Sequence, residues 1–162
     1  QGLRLALHWQ GNPDHEFTIS RGRSLCLDAL SPLLSLPGVE WISLQKGPGS
    51  EQLEDFPNIW NKSQDIISDT WDFEDTAAIL KTCDLLITSD SGLGHLAGAI
   101  GSEVWLMLPS SAEWRWGQDE RRTNWYRNHR IYRQKKHNSW IDTMQMIRRD
   151  LLAKSVRRKN IN

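Results

Sequence analysis

Cysteine is scarce in this chain of 162 residues: only Cys26 and Cys83 are present. Each sits inside an apolar pattern, so buried free thiols in a reducing compartment are expected, and two isolated cysteines are not a metal site. Long apolar runs are missing too. None approaches the ~20 residues that a membrane-spanning helix requires, and the N-terminal stretch does not read as a signal peptide. Neither sign of charge is in excess, with 20 Lys and Arg against 20 Asp and Glu; nothing in that balance points to nucleic acid or an acidic membrane. Gly11 is the lone glycine after the first apolar run, so the GxGxxG fingerprint is absent, as is a Walker lysine motif. Ser91 follows Ser89-Asp90, which breaks the Gly-x-Ser-x-Gly elbow of serine hydrolases. His8, His15, His95, His129 and His137 are scattered and no Asp-x-Asp pair occurs, so no metal ion or resident cofactor is expected. Internal repeats and low-complexity tracts are lacking as well.

What remains is an alternation of short apolar runs and amphipathic segments. Leu3 to Trp9 reads as a strand, followed by a turn at Gln10-Gly11-Asn12-Pro13 and a polar loop to Arg23. Arg23-Ser24 opens an amphipathic helix that Pro37-Gly38 ends, and Val39 to Gln45 is a second strand. Glu51 to Lys62 is poorly patterned, and Ile66-Ile67 marks a weak third strand. Asp75 caps a helix from Thr76 to Cys83, and a fourth strand opens at Asp84. Beyond an Arg-rich loop from Gln118 to Asn128 lie a short strand, Arg130 to Arg133, and a last helix from Ser139 to Lys154. Ile141, Met144, Ile147 and Leu151 form the apolar side of that helix. This spacing predicts an α/β fold of Rossmann-like type, a doubly wound parallel sheet in one domain over 1–154. A basic, frayed tail follows over 155–162. The chain opens on Gln1, which fits a piece of a longer protein.

Asp84 to Pro109, DLLITSDSGLGHLAGAIGSEVWLMLP, carries the most information. It reads as strand, polar turn, small-residue helix and strand, a βαβ unit. Asp90 or Ser91 suits the N-cap, and Gly101 suits the left-handed C-terminal stop. Leu93, Leu96, Ala97 and Ile100 share one face, with Ser91 and His95 roughly opposite it. The free N–H groups at such a helix start accept anions at the carboxyl end of a parallel sheet. A capped core helix with a surface histidine is the plain alternative. Tryptophan is abundant, at nine residues. Trp41 and Trp105 lie in core patterns. Trp114 and Trp116 flank Arg115 and in an extended segment would share one face, which suits stacking on a sugar or base with Arg115 as a phosphate partner. Packing of the loop onto the domain is the other reading.

Several blocks together resemble a known family. GNP near the start, the Arg-Ser pair, SLQKG, DFEDTAAIL, DLLITSDSGLGHLAGAIG, WLMLP, EWRW, NWY, and RIYRQ with Trp140 occur in order over Leu5 to Trp140. They are similar to the heptosyltransferase-like glycosyltransferases, family nine and its relatives, often found behind tetratricopeptide repeats. The resemblance implies the C-terminal, donor-binding half of a GT-B enzyme, which moves a sugar from a nucleoside diphosphate to a hydroxyl without a metal ion. Asp90, Ser91, Gly92 and His95 then match the donor-binding block, and Arg23 and Ser24 its Arg-Ser pair. Asn12 and Lys46 face the same cleft, and Glu113, Trp114 and Arg115 wall the nucleotide or sugar pocket. Asp90 is expected to cap the helix or bind a hydroxyl, because its charge is awkward beside a diphosphate. Implied partners are the nucleotide sugar and an N-terminal or tetratricopeptide domain, in the cytoplasm, with a homodimer also open. Asp-Ser-Gly-Leu-Gly-His replaces the usual Asp-Thr-Ala-x-Ala-His. That departure, with an acceptor half not in view, leaves a non-catalytic nucleotide-sugar-binding or interaction module as the alternative.

Overall fold

A computed structural model describes residues 2–18, 22–60, 67–70, 72–119 and 121–159. Five parallel strands form the sheet: β1 (Leu3–His8), β2 (Val39–Ser43), β3 (Leu85–Ser89), β4 (Val104–Leu108) and β5 (His129–Arg133), in the order β2-β1-β3-β4-β5. The central strands are buried on both faces, which parallel sheets require, and their side chains divide between two cores. Leu3, Leu5, Leu7, Ile87, Trp105, Met107 and Tyr132 meet a 3₁₀ turn (Leu27–Leu30), α2 (Ser31–Leu34) and α5 (Ile141–Lys159). Ala6, Leu86, Val104, Leu106 and Ile131 face α3 (Phe73–Lys81) and α4 (Gly92–Ala99) on the other side. The predicted doubly wound α/β sheet is the fold observed.

Several boundaries differ from the sequence pattern. The polar stretch after β1 contains α1 (Pro13–Thr18), opened by Pro13 and by Asn12 Oδ1, which accepts the Asp14 N–H at 3.0 Å. Arg23-Ser24 opens no helix; Leu25 N–H instead bonds to Trp9 O at 2.9 Å, and helical structure starts only at Leu27. Ser50–Asp55, in the poorly patterned segment, is a 3₁₀ helix. Of the weak third strand, Ile66 lies outside the described residues, while Ile67 buries its side chain at the start of a turn. α3 begins earlier than expected because Asp72, not Asp75, is its cap: the carboxylate accepts the N–H groups of Glu74 and Asp75 at 2.8 and 3.2 Å.

The last helix runs on through residues 155–159, where a frayed tail was expected; 160–162 lie outside the described residues. Arg158 pairs there with Asp84. Met144, Ile147 and Leu151 are buried as predicted, but Ile141 is exposed at the helix start. Cys26 is exposed and Cys83 half-buried, both free, so neither is the fully buried thiol expected. Among the described residues no helix is long and apolar enough to cross a membrane.

Candidate functional site

The strand order reverses between β1 and β3, the chain turning one way to β2 and the other way to β4 and β5. A crevice opens outside the carboxyl ends of strands at such a point, because the flanking connections diverge to opposite faces. A cleft of about 430 Å³ lies there, lined by His8, Gln10, Asn12, Arg23, Lys46 and Ser91 among others. A larger hollow of about 660 Å³ sits at the amino edge. Its charges largely satisfy one another, through Arg158 with Asp84, Lys154 with Glu103 and Arg130 with Asp150. The carboxyl-edge cleft is the better candidate, since it lies at the strand-order reversal and holds the start of α4 with Arg23 and Lys46 around it.

Gln45 builds the floor edge. Its Oε1 accepts the Trp9 and Gln10 N–H groups at 3.1 and 3.0 Å, and its Nε2 donates to the Gln10 and Pro48 carbonyls at 2.8 Å each. Both ends of a buried amide are thereby satisfied, and the loops after β1 and β2 are tied together. Arg23 lies across Gly11 so closely that a Cβ there would meet its Nη2 at 2.8 Å. Glu16 holds the guanidinium at 3.4 Å. Ser24 stands behind this wall: its Oγ accepts the Gly11 N–H at 2.8 Å and donates to Glu16. Lys46, exposed at the mouth, donates to the Thr70 carbonyl.

Ser91 is the N-cap of α4, yet its side chain caps nothing; Oγ lies 3.2 Å from Thr88 Oγ1. The first turn of the helix therefore keeps N–H groups free of a side-chain cap, which is what an anion site needs. Asp90 makes no cap either. Burial, reinforced by Glu113, raises its carboxyl above the usual range, although the Trp116 indole N–H and Arg23 pull the other way. That indole N–H closes no normal hydrogen bond.

The remaining expected residues are elsewhere. His95 does not line the cleft with Ser91. Its ring stacks on Trp116 at 5.0 Å, and Nδ1 lies 3.1 Å from the Tyr126 hydroxyl. Trp114 to Trp116 is a 3₁₀ turn, so the two tryptophans do not share a face. Trp116 is core while Trp114 is 77% exposed. Arg115 pairs with Glu113, and none of Glu113, Trp114 or Arg115 lines the cleft. Conversely, His8, Gln10 and Phe73 line it unannounced. His8 ends β1, Gln10 lies two residues beyond it and Phe73 follows the α3 cap, and those positions were the available signal.

Residues 53–141 match the sequence model of glycosyltransferase family 9 (heptosyltransferase). Protein FlbA of Caulobacter vibrioides is 29% identical over 118 residues, which cover 70% of this chain and 19% of FlbA. The solved ADP-heptose lps heptosyltransferase II of E. coli superposes with a TM-score of 0.63 at 15% identity. That match covers 98% of this chain and 48% of the enzyme, so the chain spans about half of the one and a fifth of the other.

Proposed function

The chain belongs to glycosyltransferase family 9, and from that premise we propose that it binds the nucleotide-sugar donor of a glycosyltransferase that needs no metal ion. The observation that carries this reading is the cleft at the strand-order reversal, with an uncapped helix start on one side and Arg23 and Lys46 on the others. A diphosphate there meets the N–H groups of Gly92 and Leu93, and the two cations balance its charge. The same groups stabilise the diphosphate as it leaves the sugar, so the help given to the reaction is electrostatic and preorganised. Phe73, exposed at the rim, offers a ring face to the base. The sugar acceptor comes from outside this unit, which by itself is expected to bind donor without transferring sugar. A cytoplasmic setting fits the two free thiols.

Calorimetric titration with ADP, GDP and UDP in metal-free buffer tests the reading, and the likeness to the E. coli ADP-heptose heptosyltransferase puts ADP first. One nucleotide is expected to bind, and Ser91→Glu to abolish binding. A carboxylate at that cap is compatible with the helix dipole, so the variant should stay folded. Unchanged affinity in the variant, or no binding by folded wild-type protein, would sink the proposed site. Binding without transfer in the complete protein would favour the non-catalytic module.

A further inference from the structure

His8, the last residue of β1, lies on the floor of the cleft and is 9% exposed. Its Nδ1 is 3.4 Å from Thr88 Oγ1. Thr88 Oγ1 lies 2.9 Å from the Ser89 carbonyl, which can only accept, and we assign its one hydroxyl proton to that shortest contact. On that assignment its oxygen accepts from its other two neighbours, His8 Nδ1 and, at 3.2 Å, Ser91 Oγ. The same assignment puts the His8 proton on Nδ1, and in a neutral ring Nε2 is left with a bare lone pair. Burial, with the Arg23 charge beside it, lowers the ring's pKa to about 4, so it is neutral at pH 7. Nε2 has no hydrogen-bond partner among the described residues.

We propose that His8 Nε2 accepts a hydrogen bond from a hydroxyl of the bound ligand, which makes the cleft floor a hydroxyl-reading subsite between cationic walls. The inference rests on the nucleotide-sugar reading above. An ionised phosphate oxygen offers only lone pairs, so against Nε2 it would meet lone pair with lone pair. The phosphates are thus confined to Arg23 and the start of α4. The hydroxyl belongs either to the ribose or to the sugar being transferred.

The test compares wild type, His8→Leu and His8→Gln by calorimetry at pH 7, in two buffers of different ionisation enthalpy. The ligands are whichever nucleoside diphosphate binds in the titration above, its 2′- and 3′-deoxy analogues, and its glucose ester. His8→Leu is expected to lose about tenfold in affinity, the scale of one buried hydrogen bond. His8→Gln, whose amide oxygen can stand where Nε2 does, is expected to keep most of it. A loss already seen with the unmodified diphosphate, and reproduced by a deoxy analogue on wild type, assigns the ribose; a loss confined to the glucose ester assigns the sugar. Unchanged affinity in a folded His8→Leu variant overturns the proposal and leaves the nucleotide reading standing. Uptake of about one proton on binding also overturns it, since that means an imidazolium against phosphate. Nitrogen NMR of the imidazole in the free protein is expected to show a protonated Nδ1 and a bare Nε2, and the reverse tautomer overturns the proposal without any ligand. A wild type that binds no nucleotide takes down both readings together.

Discussion

Arg23 shows how one side chain in the cleft is positioned by its neighbours. Its guanidinium rests on Gly11, where no Cβ intervenes, and is held from behind by Glu16, which Ser24 also contacts. An ion pair of this half-buried kind orients the group more than it stabilises the fold. Gly11→Ala should therefore push the guanidinium out of position with little loss of stability. We expect nucleotide affinity to fall several-fold while the melting temperature moves by no more than a few degrees; a variant that binds as wild type does would show that Arg23 takes no part. Asn12, Lys46 and Ser91 were readable as cleft residues because each lies beyond a strand end or at a helix start, whereas Arg23, in a segment that opens no helix, was reached through the family's Arg-Ser pair. His95 and Trp116 were not placed correctly. Their partners in the stack, Tyr126 and His129, lie about 10 to 35 residues away along the chain, and no spacing rule reports such a contact.

At the scale of the element, α4 is the clearest case of packing overriding local preference. Glycine is a poor helix former, by about 1 kcal/mol relative to alanine, and Gly94 and Gly98 sit inside this short helix. A Cβ on Gly98 would come within 2.5 Å of the Tyr126 ring and 2.8 Å of His129 Cε1. The aromatic stack occupies the space a side chain would need, and His129 Nε2 donates to the Gly94 carbonyl at 3.1 Å. Gly98→Ala should therefore destabilise the protein despite its better helix propensity. Overpacking costs about 1–3 kcal/mol, which exceeds the propensity gain, and a lowered denaturant midpoint at unchanged slope is the expected readout. Gly94→Ala is expected to be milder, because its nearest neighbours are side-chain methyl groups at 3.6 and 3.7 Å. The helix itself, its start at Asp90 or Ser91 and its stop at Gly101 with φ +77° were legible in the residues, although neither side chain caps it. What the glycines face was not.

For the whole molecule, the buried histidines set a dependence on pH. Burial holds both His8 and His129 at about 4, against 6.5 for an exposed ring. Between those values the unfolded chain takes up protons that the fold refuses, so stability falls as pH drops from about 6.5 toward 4 and levels off below. His8 alone could account for up to about 3 kcal/mol of that loss. Urea midpoints at pH 7, 5.5 and 4.5 should decline in turn, and more gently in His8→Leu. A wild-type midpoint that stays flat across this range would contradict the assigned burial.

The alternation of apolar runs with amphipathic segments determined the parallel α/β class, because each period allows only one way of burying its apolar face. The βαβ unit from Asp84 to Pro109 likewise determined where a helix start would lie at the carboxyl edge of the sheet. Packing in three dimensions set which side chains meet. It put His8, Arg23, Lys46 and Ser91 around one cleft and turned His95 and Trp116 away from it. The strand order is the physical reason: the point where it reverses joins the ends of strands far apart in the chain, and the contacts made there have no period in the sequence to announce them.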